Sequence, residues 1–276
     1  FEDSSFGNRV LVVDNGSSDS TADKLAAKYG ESSNVDVLLL DANIGVEAFN
    51  RGVNHAIESQ AEQKPELVLI LDDDARVEPS HFVSAVELMG NRSELGAVTF
   101  HPRHPDTSVS EWAFANQLRW KPTDRWPVMG CANLVRTDVW QRVGGYESSF
   151  FLYRNDTDLA LKVLGASEGP HAVHFNPRWV VWHDTPNAGT PNAPKSVRWH
   201  KLATRNWVWL CRRHGRGLGF LGRTKSALLG CAWAHRLAGF SLARQFATLC
   251  GTITGFVTRA PSAPATANGG SADGLN

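Results

Sequence analysis

Apolar residues along this chain follow two alternating rhythms. Short unbroken runs, Val10-Leu11-Val12-Val13, Val35 to Leu40, Leu67-Val68-Leu69-Ile70-Leu71 and Leu95 to Phe100, show no polar alternation and read as strands covered on both faces. Between them apolar positions recur every three or four residues: Ala22, Leu25, Ala26 and Tyr29; Val46, Phe49, Val53 and Ile57; Phe82, Val83, Val86 and Met89. That spacing puts each set on one face of a helix. Ser20 with Asp23 has the form of a capping box, Gly30 and Gly90 close two of the helices, and Pro79 suits a first turn. The helix through Val46 is predicted to run to about Gln63. Strands alternating with helices predict an α/β fold with a mostly parallel, doubly wound sheet.

Past Phe100 the pattern weakens. His101 to Arg125 reads as an irregular or edge segment, Trp126 to Val135 as a strand, and Thr137-Asp138 as the cap of a short helix ending at Gly144-Gly145. Asp156 and Asp158 open a helical run through Leu164, where the helix dipole favours anions. Val173 to Phe175 and Trp179 to Trp182 are short strand candidates, with His183 directly after. From Lys195 helical spacing returns in different company. Leu218 and Leu221, then Leu228, Leu229 and Trp233, then Phe240, Leu242, Phe246 and Leu249 are broken by glycines, behind a segment that interleaves Trp199, Trp207 and Trp209 with Arg198, His200, Lys201, Arg205, Arg212 and Arg213. Two readings stand side by side: basic helices on an anionic bilayer surface, or helices packed on the preceding domain. No apolar stretch reaches the roughly 18 residues of a membrane span, and no nucleic-acid-binding motif is present. Three segments follow: a catalytic domain over 1–194, a basic Trp-rich helical extension over 195–260, and a tail over 261–276 whose Ala, Pro, Gly and Ser predict disorder.

Charge sharpens this division. The 276 residues carry no formal net charge, yet residues 1–184 hold 27 acidic against 16 basic side chains, and residues 185–276 hold 12 basic side chains and the single acid Asp273. An acidic front and a basic back imply two jobs. The four cysteines form no CxxC pair, which argues against a zinc site or a disulfide framework and fits a reducing, cytoplasmic setting.

The candidate chemistry lies where the Leu67 strand runs into Asp72-Asp73-Asp74. Carboxylates packed at a strand end repel one another, and a divalent cation offsets that repulsion. The bland alternative is a polar loop with Asp73 or Asp74 near a helix start. The order of motifs narrows the choice. Val12-Val13-Asp14-Asn15-Gly16-Ser17-Ser18-Asp19, Asn43-Ile44-Gly45, the aspartate triplet, Val143-Gly144-Gly145-Tyr146, Phe150-Phe151, Asp156-Thr157-Asp158-Leu159 and Trp182-His183 together resemble family 2 of the inverting glycosyltransferases of the GT-A superfamily. Within it the chain is most similar to the bacterial rhamnosyl- and galactofuranosyltransferases of cell-surface polysaccharide synthesis, a likeness that Arg205-Asn206 strengthens.

The resemblance implies a GT-A fold with a helical C-terminal extension and a set of roles. Asp14 and Asn43 would line the pocket of a nucleotide-diphosphate sugar donor, and Asp72 or Asp73 would lie near its ribose. Asp74 and His183 would hold Mn²⁺ or Mg²⁺, and Asp156 would be the general base toward a saccharide or lipid-linked acceptor on the inner face of the cell membrane. Two departures accompany it. Asn155 stands where many relatives have an acid, a loss that Asp158 would partly cover. The first strand and helix of the family are absent before Val10, and the chain opens at Phe1 without a methionine. The expectation is a fragment with weak or no activity by itself. A non-catalytic nucleotide-sugar or membrane-binding relative is the alternative, and a nucleotidyltransferase, for which no Gly-rich phosphate loop is seen, a weaker third.

Overall fold

The computed structural model describes residues 9–59, 64–112, 122–166, 168–184, 195–215 and 219–262. The predicted tail from 263 onward and the helix extension over 60–63 lie outside them. The first half alternates as its periodicity predicts: β1 (Val10–Asp14), α1 (Thr21–Tyr29), β2 (Val35–Leu39), α2 (Glu47–Ser59) and β3 (Leu67–Leu71). A strand absent from the sequence reading, β4 (Ala75–Val77), follows the aspartate triplet, and α3 (Pro79–Asn91), β5 (Leu95–Arg103), β6 (Ala132–Arg136), α4 (Thr137–Val143), α5 (Asn155–Leu164) and β7 (Ala172–His183) complete the α/β part. The strand expected from Trp126 begins only at Ala132, and the two short strands expected over 173–182 are one.

The sheet is not the mostly parallel one that alternation predicts. β1 and β2 form a parallel pair of their own, and the main sheet has the order β3-β6-β5-β7-β4, in which only β5 and β7 run parallel. The reason is connection. β4 follows β3 through a tight turn in which the Ala75 N–H donates to the Asp72 carbonyl, and β6 is reached without a crossover helix among the described residues. Strands joined without a crossover are free to run antiparallel. α2 lies across both sheets: Gly52 meets Val13 of β1 so closely that a Cβ would fall 2.8 Å from its methyl, while Val53 and Ile57 join Ile70 of β3 in the core.

Both faces of the main sheet are covered, which accounts for the unbroken apolar runs of β3 and β5; the β1–β2 pair, expected to be covered likewise, leaves Val10 and Leu39 exposed. Ala97 and Val135 face the core beneath α2, α4 and α5, and their neighbours Val98 and Leu134 face the core beneath α3 with Phe82 and Met89. The capping box at Ser20 does not form; the Asp19 carboxylate instead accepts from the Thr21 N–H at 3.0 Å. Beyond β7 come α6 (Val197–His214), α7 (Gly219–Ala238) and α8 (Leu242–Val257), with α6 between the α/β part and the other two. α6 starts at Ser196, whose hydroxyl accepts from the Trp199 N–H, and it stacks Trp209 on buried Phe150.

Candidate active site

Three of the predicted residues, Asp72, Asp74 and His183, gather at one end of the main sheet. Register does most of this work: in the β4–β7 pair Ala75 lies opposite His183, and the Asp184 N–H donates to the Asp74 carbonyl at 2.9 Å. The end of β7 is thereby fastened beside the aspartate turn. His183 Nε2 stands 3.0 Å from Asp74 Oδ1 and 4.0 Å from Asp72 Oδ2, and one ligand atom from each of the three lies within 4.8 Å of the others. The imidazole is 12% exposed and the two carboxylates 41% and 39%, so the cluster is walled by protein on the imidazole side and open on the carboxylate side. Asp73, the other member of the triplet, is exposed.

The electrostatics fit a cation. Burial pushes the Asp72 carboxyl up to about 7; the Asp74, Asp73 and Asp156 charges add to that rise and His183 opposes it. Without a counter-charge the cluster cannot hold all its carboxylates ionised cheaply. Two carboxylate oxygens and one imidazole nitrogen on an open face suit Mn²⁺ or Mg²⁺, with positions left for phosphate oxygens. His183 is aimed by a residue that the sequence reading missed. Glu111 Oε1 lies 2.7 Å from His183 Nδ1, a carboxylate–imidazole pair that turns Nε2 toward Asp74. Burial pulls the imidazole pKa down, but Glu111, Asp74 and Asp72 outweigh it and leave it raised. Glu111 lies in the segment read as irregular, where spacing carries no signal.

Asp14 and Asn43 sit at the ends of β1 and β2. Asp14 is buried, and its Oδ1 accepts from the Ser17 N–H and hydroxyl, which shapes the loop after β1. Asn43 is exposed and accepts from the Gly45 N–H at 3.0 Å, while Asn15 spans both loops by donating to Gly45 and accepting from Ile44. Gly16 and Gly45 both have positive φ, and a Cβ at Gly45 would meet the Phe151 carbonyl at 2.3 Å. The loop after β2 is therefore packed directly on the loop that leads to Asp156.

That second loop is unusual. Phe151, Tyr153 and Arg154 all have φ between 64° and 70°, a left-handed conformation that costs a non-glycine residue about 1–3 kcal/mol. Arg205 and Asn206 of α6 hold it. The Asn206 amide donates to the carbonyls of Phe150, Leu152 and Tyr153 at 2.8–3.0 Å, and Arg205 donates to Ser149 and Phe150. Asp156 emerges from this clamp in the first turn of α5. Burial raises its carboxyl pKa against the pull of the Thr157 N–H and the Arg154 charge, which moves it toward the range of a working base. The expectation that Asp158 covers for Asn155 is overturned. Asp158 is fully buried and engaged by Arg213 at 2.9 Å and His214 at 2.6 Å, with Lys162 at 3.8 Å, so it anchors α5 to α6 and has no face toward an acceptor.

Known proteins resemble this chain in sequence or in fold. The N-acetylglucosaminyl-diphospho-decaprenol L-rhamnosyltransferase of Mycobacterium tuberculosis is 26% identical over 242 residues, covering 74% of this chain and 75% of its own. The mannosyltransferase PcManGT from Pyrobaculum calidifontis, solved with GDP-Man and Mn²⁺, superposes with a TM-score of 0.55 at 18% identity over 90% of this chain and 76% of its own. GalNAc-T7, solved with UDP, GalNAc and Mn²⁺, superposes with a TM-score of 0.56 at 12% identity over 80% of this chain and 45% of its own. Both share the GT-A fold with the present chain. Residues 6–155, more than half of the sequence, match the family model of glycosyl transferase family 2, and the chain belongs to that family: it is a glycosyltransferase of GT-A fold.

Proposed function

We propose that the enzyme is metal-dependent and inverting, and that it moves a sugar from a nucleoside-diphosphate donor to a hydroxyl of a lipid-linked saccharide in cell-surface polysaccharide synthesis, at the cytoplasmic face of the membrane. The observation that carries this reading is the convergence of Asp72, Asp74 and His183 within reach of the charge of Asp156. The acceptor class follows the name of the mycobacterial relative, whose acceptor is a sugar on a polyprenyl diphosphate.

Asp72, Asp74 and His183 would hold Mn²⁺ or Mg²⁺, which when bound offsets the negative charge that develops on the departing nucleoside diphosphate. Asp14 and Asn43 border the pocket for the nucleoside, with Asp73 exposed at its edge. Asp156 takes the proton of the acceptor hydroxyl as that oxygen bonds to the anomeric carbon. The bond from that carbon to the diphosphate oxygen breaks on the opposite face, so a single displacement inverts the configuration. Glu111 keeps the imidazole aimed, and Arg154, drawn over the Trp207 ring at 5.3 Å, is a half-buried cation beside the base.

Calorimetric titration with UDP, dTDP and GDP, with and without Mn²⁺, tests the metal site without requiring turnover. One nucleotide is expected to bind in a Mn²⁺-dependent way, and Asp74→Ala should weaken it at least about tenfold. Binding indifferent to both Mn²⁺ and Asp74→Ala would overturn the site. Asp156→Asn should lower transfer by about 10²–10⁴-fold while leaving nucleotide binding intact. Normal turnover by that variant removes Asp156 from the mechanism, and a product that keeps the donor's anomeric configuration removes the single displacement.

A further inference from the structure

α7 and α8 carry their large apolar side chains on the wrong side for water. α7 turns Ala227, Cys231, Ala234 and Ala238 inward and leaves Leu221, Leu228, Leu229 and Trp233 exposed. α8 turns Ala247, Thr248, Gly251 and Gly255 inward and leaves Leu242, Phe246, Leu249, Ile253 and Val257 exposed, a continuous stripe at helical spacing along 16 residues. The inward residues are small because α8 lies close on α6: a Cβ on Gly251 would fall 2.3 Å from the Lys201 carbonyl oxygen, and one on Gly255 would fall 2.7 Å from Val208. Leu221 is 81% and Leu242 85% exposed, and Phe240 between the helices is fully so. Of the helices expected either on a bilayer or on the preceding domain, α6 packs on that domain, and the stripes of α7 and α8 do not.

Charge identifies what covers them. Residues 185–272 contain no acidic side chain at all, and Lys225 and Arg236 are exposed on α7. At the end of the helix pair where α7 begins and α8 finishes, a cavity of about 650 Å³ is lined by Arg212, Arg223 and Arg259 with Phe220 and Phe256. Arg212 is fixed there by the Gly255 and Thr258 carbonyls, each at 2.6 Å. A second copy of the chain on this face would bring cation against cation with no acid of the segment to pair them. An anionic lipid surface supplies both an apolar layer and phosphates. No described helix is long and apolar enough to cross a membrane, so the fitting geometry is in-plane.

We propose that α7 and α8 form a bilayer-docking surface: the outward stripes sink into the boundary between headgroups and acyl chains of an anionic phospholipid membrane, and the arginine-lined cavity takes a lipid phosphate. Its purpose rests on the reading of a lipid-linked acceptor, since α6 then sits between the bilayer and the loop that carries Asp156.

Flotation of the full chain with phosphatidylcholine vesicles, with and without phosphatidylglycerol, tests this in the absence of donor and acceptor. The chain is expected to float with the anionic vesicles and about tenfold less with the neutral ones. The triple variant Leu229→Ser, Phe246→Ser, Ile253→Ser, altered only at exposed positions, should lose binding to both at least about tenfold. Arg223→Glu with Arg259→Glu should erase the anionic preference. A wild-type chain that stays in solution, or a triple variant that floats unchanged, overturns the surface. So does sedimentation showing a wild-type dimer that the triple variant makes monomeric, which would give the face to a second copy. Nucleotide titration on the same variants separates the two readings. Vesicle binding by a chain that binds no nucleotide would refute the proposed function and leave the docking surface standing.

Discussion

α5 and α8 are both amphipathic, yet they face opposite ways. α5 buries Leu159, Ala160 and Val163 at 0% exposure, pairs Asp158 with Lys162 inside and has no exposed residue, whereas α8 buries Ala, Thr and Gly and shows Leu, Phe and Ile. Neither helix violates the rule that apolar area leaves water. What differs is the surroundings: α5 is enclosed by protein, and α8 keeps one face outside it. A helix that serves the catalytic core needs bulk inside to fix Asp156, and one that serves an interface with lipid needs small residues inside and bulk outside.

Truncation separates the two environments most strongly. Phe100→Ala, which empties a fully buried position, should cost about 3–5 kcal/mol in urea unfolding, and Phe246→Ala on the outer face of α8 should change stability by less than about 0.5 kcal/mol. A Phe246→Ala variant as damaged as Phe100→Ala would mean that the stripe is covered within the chain, and the contrast would collapse. Removing the clamp comes next. Asn206→Leu strands the Leu152 and Tyr153 carbonyls and leaves that of Phe150 to Arg205 and the Leu152 N–H, which should cost about 1–3 kcal/mol of stability. Its transfer rate should fall further than that of Phe246→Ala while Mn²⁺-dependent nucleotide binding persists. Loss of nucleotide binding in step with transfer would show that the clamp organises the whole site and not the base loop.

The smallest effect is on the pH profile. As the proposed base Asp156 would work deprotonated, and burial raises its folded-state pKa, so transfer at saturating Mn²⁺ should fall as pH drops through that raised value. The acid limb of kcat/KM should have its midpoint above the ordinary carboxylate range of about 4. A limb at or below that value would place Asp156 in water and remove the physical basis for its role. Variants on the outer face of α8 should leave the limb where it is.

The sequence was enough for the strands β1, β2, β3 and β5, the faces of α2 and α3, and the family, though not for a face of α1, which buries no residue. Each depends on local spacing or on short motifs whose residues are neighbours in the chain. Gly144 and Gly145 illustrate this, since their positive φ angles end α4 where the sequence placed its end. The direction of β6, the union of two short runs into β7 and the existence of β4 were not legible, because they follow from how loops without periodicity return the chain. Glu111 was invisible for the same reason, and Asp158 was misread because its partners Arg213 and His214 lie on α6, far along the chain. The stripes of α7 and α8 were plain in the sequence, but a hydrophobic period gives a helix a face without saying what the face meets. Only the position of α6, against which the glycines and alanines close, decided that the bulky side points outward.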